Sequence, residues 1–284
     1  MRTVEYFSPQ SLSEACTLLS ELGPDVRILA GGTDLLLELR NSKEPSEKPL
    51  VDLSRISGLR GIEETGDSIV IKPLTTHDNI LHSPLVAQWA PALAQAASTI
   101  GSPQIRNRGT VGGNVMNAAA CADMVPPLMV LNARVKLHSK RNEREVDLAK
   151  FFVEPYRTLA EKEEILVEIR FQKPPEHTRS SFIKLGRRNA LSIARLSVAA
   201  MLLMDSKGII KEARIVPGAA FPTWQRVTEA ERLLIGKKGT KDLFDQAGKI
   251  VSAVMISSTG RRWSTEYKEP VLAVLVRRAL ELCS

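Results

Sequence analysis

The first periodic stretch is SLSEACTLLSELG, where Leu12, Ala15, Leu18, Leu19 and Leu22 recur at helical spacing and share one face. Ser11 and Glu14 stand at capping-box spacing, and Gly23 is a natural stop. A short apolar run, VRILA, then enters Gly31-Gly32 and TDLLLELR, which reads as strand, turn and helix. NSKEPSEKP is polar and carries prolines, so a loop is predicted, leading into a brief strand at LVDL. Two β-like runs between 59 and 71 flank Thr65-Gly66-Asp67, a hairpin signal. Helical patterns follow around 78–81 and 85–97.

The periodicity then lapses. TIGSPQIRNRGTVGGNVMNAAACAD is rich in small and polar residues and keeps no clear period. RVKLHSK and REVDL resume strand character across a charged turn at Arg141-Asn142-Glu143, and EEILVEIRF is the last strand of this half. QKPPEHT breaks any regular element with its two prolines and reads as a linker. Beyond it SFIKLGRR, IARLSVAAMLLMD and IIKEARIVPG are expected as strands, with helices near 228–234, 241–255 and 270–282. The pattern predicts a mixed α+β unit up to Pro174, then a three-stranded sheet backed by helices.

Length agrees with two domains, because 284 residues exceed the usual single-domain size. The three cysteines, Cys16, Cys121 and Cys283, are far apart and form no CxxC pair. A reducing cytoplasm is the simplest reading, and an all-cysteine iron–sulfur site would need one more thiolate. The N-terminus carries no apolar stretch like a signal peptide, and no run long enough to span a membrane occurs. The net charge is +7, but the basic residues are dispersed and aromatics make up 5%, which argues against nucleic acid. An anionic cofactor or an acidic partner surface accounts for the charge as well.

Two segments carry candidate chemistry. In Ile28-Leu29-Ala30-Gly31-Gly32-Thr33-Asp34-Leu35 an apolar strand runs into paired glycines and a helix, an arrangement that lets backbone N–H groups approach a phosphate. It is neither GxGxxG nor a P-loop, and taken alone these residues favour a plain tight strand–helix turn with Thr33 as an N-cap, because such turns are common. The second segment is Gly109-Thr110-Val111-Gly112-Gly113-Asn114, with Asp123 nine residues after Asn114. So many small residues have little to bury, so the segment should lie against something else, either a flat phosphate-bearing cofactor or solvent as a surface loop. Thr110 and Asn114 offer hydrogen bonds, and Asp123 could accept from a ribose or adenine. His77, His82, His138 and His177 share no metal-like spacing and read as ordinary surface or partly buried residues. No nucleophile elbow or acid–base set stands out, which suits a chain whose cofactor does the chemistry.

Together, AGGTDL, QIRNRGTVGGNVMNAAACAD, EEILVEIRF and FIKLGRRNALSIARLSVAA resemble the FAD-binding subunit of the xanthine dehydrogenase and carbon monoxide dehydrogenase family, over essentially the whole chain. The resemblance implies a two-subdomain FAD-binding domain of the vanillyl-alcohol-oxidase/PCMH-like type over 1–174, divided near residue 55. A C-terminal domain with a three-stranded antiparallel sheet and helices would follow over 178–284. It implies that Ile28 to Leu35 wrap the FAD pyrophosphate and that Ile100 lies beside the flavin. Thr110, Gly112, Gly113 and Asn114 would form the second phosphate and ribityl loop. Asp123 would be an acidic FAD contact, Leu166 would pack on the flavin, and Lys184 would lie near its ring. No catalytic or metal-ligating residue is implied in this chain.

The implied partners are a molybdopterin-containing large subunit and a small subunit with two [2Fe–2S] clusters, with NAD+ or another acceptor downstream. The glycine pair differs from that of animal xanthine dehydrogenases and looks closer to bacterial separate-subunit members, so acceptor preference does not carry over. By family frequency a purine such as xanthine is the leading substrate, ahead of carbon monoxide or an N-heterocycle. The rival readings are a stand-alone flavin oxidoreductase of the same fold and a nucleotide-binding scaffold without redox activity.

Overall fold

The computed structural model describes residues 4–42, 48–188 and 190–284. Most of the predicted NSKEPSEKP loop lies outside the described residues. Among the described residues no helix is long and apolar enough to cross a membrane.

The chain opens with a small parallel sheet. Its middle strand, Leu50–Asp52, pairs on one side with Tyr6–Phe7 and on the other with Arg27–Leu29. The helix Leu12–Leu22 buries Ala15, Cys16 and Leu19 in the small core beneath this sheet. Ser11 caps it through Glu14 N–H at 3.2 Å. The Glu14 carboxylate reaches back one residue further than a capping box requires, to Gln10 N–H at 2.8 Å.

A five-stranded antiparallel sheet follows, with Ile165–Gln172 at its centre between Ser68–Ile71 and Arg134–His138, and with Ile62–Thr65 and Glu143–Asp147 at the edges. The predicted hairpin turns on Gly66, whose φ of 59° suits a primed two-residue turn. The register of the central strand shifts between Leu166 and Glu168. Side chains alternate along a strand, so this irregularity divides the strand between two cores. Ile165 and Val167 join the small core beneath the parallel sheet, whereas Leu166, Ile169 and Phe171 join the large one.

The third sheet is antiparallel, in the order Thr178–Leu185, Leu196–Met204, Ile210–Gly218. Its middle strand is apolar except at Ser197, because both faces are covered. Leu196, Val198, Ala200 and Leu202 pack on the helices Thr228–Leu234, Lys241–Thr259 and Thr265–Glu281. Ala199 and Met201, with Phe182, Val216 and Trp224, belong to the large core of the preceding part.

Two local expectations change. The predicted helix over 85–97 is two helices, Pro84–Trp89 and Pro91–Ser98, because Pro91 lacks the N–H that would continue the first. The stretch without a period contains the short helices Pro103–Arg106 and Val111–Asn117, each started by a side-chain cap. Ser102 accepts from Ile105 N–H at 3.3 Å, and Thr110 accepts from Gly113 N–H at 3.1 Å.

Candidate functional site

The two glycine segments, far apart in sequence, converge with Lys184 of the third sheet on one cleft of about 540 Å³. Its wall includes Ile28, Ala30, Gly31, Gly32, Thr33, Asp34 and Leu35 from the first segment and Thr110, Gly112, Gly113 and Asn114 from the second. Ile100, Asp123, Leu166 and Lys184 complete the set anticipated from sequence. Leu29 is the exception: its side chain lies against Gly32 instead of on the wall.

The glycines have distinct duties. Gly32 has a φ of 75°, a left-handed conformation that disfavours any side chain. A Cβ on Gly31 would stand 2.1 Å from the Arg108 carbonyl oxygen, so this glycine permits the two segments to touch. A Cβ on Gly112 would meet Pro73 at 2.5 Å. Thr33 does not cap the following helix. Asp34 stands at the N-cap of Leu35–Asn41, without a side-chain cap bond, and burial pushes its carboxyl above the usual range.

The N–H groups of the second segment are largely spent inside the protein. Val111 N–H donates to Thr75, Gly112 N–H to Pro73, Gly113 N–H to the Thr110 hydroxyl and Asn114 N–H to the Thr110 carbonyl. What remains for a ligand comes from side chains. The Thr110 hydroxyl accepts from Gly113 N–H and donates to no group among the described residues. Asn114 Oδ1 accepts from Met124 N–H at 3.3 Å, which leaves its NH₂ group to donate.

Asp123 and Lys184 form the polar floor. Lys184 Nζ donates to Asp123 Oδ2 at 2.6 Å and to the Thr99 carbonyl at 3.1 Å. Both side chains are nearly inaccessible, at 8% and 9% exposure. Asp123 Oδ1 is buried without a hydrogen-bond partner among the described residues. Burial pushes the Asp123 carboxyl up to about 6, with the adjacent ammonium pulling it back only in part.

Other residues that sequence reasoning did not select also reach the cleft, His77 and Glu164 among them. His77 is buried, contrary to its reading as an ordinary surface or partly buried histidine, and its Nδ1 has no partner among the described residues. Burial, then the charge of Arg106, lower its pKa to about 4, so it is neutral at physiological pH. No sequence signal marked it, because its burial depends on Gly109 packing against the ring. Glu164 also lines the cleft. Arg144 holds it through paired bonds of 2.7 and 2.8 Å, and Glu161 N–H adds a third at 2.7 Å. Burial opposes its ionisation, but these bonds outweigh it and hold the carboxyl below its usual range. Arg144 is one-third exposed, so water softens the loss of the pair. Arg144→Ala should therefore cost about 1–3 kcal/mol by urea unfolding at neutral pH. A lowered pKa stabilises above the unfolded value and loses that contribution as pH falls, so the deficit should shrink in acid. An equal deficit at all pH values would assign the loss to packing.

Comparison with known proteins places this architecture. Residues 2–174 match the model of the FAD binding domain in molybdopterin dehydrogenase, and residues 181–282 match the CO dehydrogenase flavoprotein C-terminal domain. The chain belongs to this flavoprotein family. Among its relatives, the carbon monoxide dehydrogenase medium chain of Hydrogenophaga pseudoflava is 33% identical over 278 residues, covering 97% of this chain and 95% of that one. The putative xanthine dehydrogenase FAD-binding subunit of Escherichia coli (strain K12) is 35% identical over 229 residues, covering 80% and 77%. A solved structure of the Hydrogenophaga pseudoflava carbon monoxide dehydrogenase, lacking the Mo-pyranopterin moiety of its cofactor, superposes with a TM-score of 0.91 at 33% identity over 99% of this chain and 97% of that one.

The flavoprotein is thus an FAD-binding oxidoreductase of the molybdenum hydroxylase family. Its cleft fits such a cofactor on physical grounds. The volume lies in the usual range for a small-molecule site, about 300–1,000 Å³. The free donors on Thr110 and Asn114 suit phosphate oxygens, and the unpartnered Asp123 oxygen calls for a donor such as a hydroxyl or amino group. Leu166 and Ile100 supply apolar surface for a flat ring system.

Proposed function

We propose that this flavoprotein is the medium, electron-relaying subunit of a cytoplasmic molybdenum-dependent dehydrogenase. In this reading residues 1–174 form the FAD-binding domain, divided near residue 55, and 178–284 the C-terminal domain. The observation that carries it is the cleft where both glycine segments meet Lys184 of the third sheet around a buried, unpartnered carboxylate oxygen. FAD bound there supplies the capacity to take electrons singly and release them in pairs. The protein's own residues bind and orient it. Ile28 to Leu35 wrap the pyrophosphate, with Leu29 acting from behind by supporting Gly32. Thr110 and Asn114 donate to phosphate or ribityl oxygens, with Gly112 and Gly113 keeping the segment close. Asp123 accepts through Oδ1, and Lys184 keeps that carboxyl in place. Ile100 and Leu166 pack on the flavin and exclude water.

The partners in this reading are a molybdopterin-containing large subunit and a [2Fe–2S] small subunit, with NAD+ as acceptor and a purine such as xanthine as substrate. The medium-chain and FAD-subunit names of the relatives support the assembly. The names carbon monoxide dehydrogenase and xanthine dehydrogenase point to two substrates. The test uses the tagged chain with its co-purifying partners. Oxidised-flavin absorbance and a released mass of FAD are expected, with iron and molybdenum in the preparation. Anaerobic addition of xanthine should bleach the flavin band, and NAD+ should restore it. Bleaching by carbon monoxide or an N-heterocycle instead would replace the substrate. FAD without iron or molybdenum would point to a stand-alone flavin oxidoreductase.

A further inference from the structure

Beside the cleft, the surface gathers charge that the protein itself does not balance. Arg195, Arg262 and Lys268 have no carboxylate partner among the described residues. Lys268 is half-buried and donates from Nζ to the Ala219 carbonyl at 2.9 Å, a bond that leaves its charge uncompensated. Burial first, then the charges of Arg195 and Arg262, lower its pKa. Like charges held together in this way oppose folding, so the cluster needs another explanation than stability.

Aromatic residues adjoin these cations in sequence, Trp263 following Arg262 and Tyr267 preceding Lys268. Trp263 is 89% exposed and Tyr267 is 47% exposed, the former among the largest side chains of the chain. The Arg195 guanidinium lies over the Tyr267 ring at 5.8 Å. Tryptophan, tyrosine and arginine are the residue types that most often anchor protein interfaces, and here they occur together with no internal packing role for the tryptophan.

The patch adjoins the cofactor cleft. Ala219, which accepts from Lys268, donates its own N–H to the Ala120 carbonyl, next to the cleft residue Cys121. Ile193, two residues before Arg195, is 75% exposed and itself lines the cleft.

We propose that Arg195, Arg262 and Lys268, with Trp263 and Tyr267, form the docking surface for an acidic face of the electron-donating iron–sulfur partner, seating that partner beside the flavin cleft. The inference rests on the function proposed above. Three cations without carboxylate partners favour an anionic surface, and the exposed indole and phenol in the same segment are side chains that anchor a protein face and not a small anion. A partner bound at this border of the cleft is also well placed to pass electrons to a cofactor inside it.

The test uses the native complex recovered on the tagged flavoprotein, comparing wild type with the double variant Arg195→Glu/Arg262→Glu and with Trp263→Ala. Iron and molybdenum per flavin report partner retention, while flavin content and melting temperature report the fold of the chain. Retention by the wild type should weaken as salt rises, because exposed charges are screened. The double variant should lose at least ten-fold in partner affinity at low salt with flavin content and melting temperature preserved, and Trp263→Ala should lose affinity without changing the salt dependence. Hydrogen exchange gives a second readout that needs no variant: residues 261–268 should be protected in the complex relative to the isolated chain. Full metal retention by the double variant, or no protection of 261–268, would overturn the docking surface and leave the proposed function standing. A wild-type chain that carries FAD but neither iron nor molybdenum would overturn both.

Discussion

Gly31→Val should give a colourless chain. The added Cβ would stand 2.1 Å from the Arg108 carbonyl oxygen, 2.9 Å from its carbon and 3.0 Å from Gly109 Cα. All three are backbone atoms, so no side chain can turn away to make room. The Arg108–Gly109 backbone would have to retreat, carrying Thr110 and the start of the second segment with it. Two consequences are expected together: loss of FAD and destabilisation above about 4 kcal/mol, the range reached by only a few kinds of substitution. Flavin absorbance per chain and the urea midpoint measure them. Gly58→Ala is the control, since a Cβ there has nothing within 4 Å and φ is ordinary. Full FAD occupancy in Gly31→Val would mean that the two segments are not pressed together in the native protein.

Lys184→Met should be the most damaging change on the cleft floor. It keeps the length of the side chain but leaves Asp123 buried beside no cation, a loss of about 3–5 kcal/mol for a buried pair broken on one side. The effect should depend on pH in a definite direction. The Asp123 carboxyl is raised from its ordinary 3.8 to about 6, so between these values the folded protein holds a proton that the unfolded chain has released. Stability from this group is full below about pH 4 and is lost as pH rises to about 6. Removing the ammonium raises the folded pKa further, so the window should extend upward and Lys184→Met should be least harmful in acid. Asp123→Asn should flatten the slope in both backgrounds. Urea unfolding of the FAD-free chain at several pH values decides it. A slope unchanged by Asp123→Asn would mean that another group titrates there.

What the sequence made legible was local. Leu12–Leu22 was readable because its cap, its apolar face and its Gly23 stop all agree and none depends on distant chain. The C-terminal strands were readable by their apolar runs, and both glycine segments by the rarity of such small-residue stretches. The broken helix at Pro91 was also within reach, since proline at a first helical position starts a new helix as readily as it ends an old one. Ser102-Pro103 carried the same signal for a helix that the lack of period obscured. The site's interior was different. Lys184 meets Asp123 across 61 residues, and the Arg144–Glu164 pair spans 20. His77 is buried by a glycine 32 residues further along, and Asp123's free oxygen exists only because its neighbours fold around it. Such partners are set by tertiary packing, and no period or spacing encodes them. The family resemblance named Asp123 and Lys184 separately, but their pairing came from the structure.

Phe182, Ala199, Met201, Val216 and Trp224 share one core with the five-stranded sheet, although they come from the segment that follows the proline-rich linker. In evolutionary terms this ties the fates of the two segments. A recombination event that brought in a foreign tail would have to match a greasy surface side chain by side chain, as well as supply the lysine that pairs with Asp123. The two segments are therefore expected to be inherited as one unit, with substitutions on either side of the shared core compensated on the other.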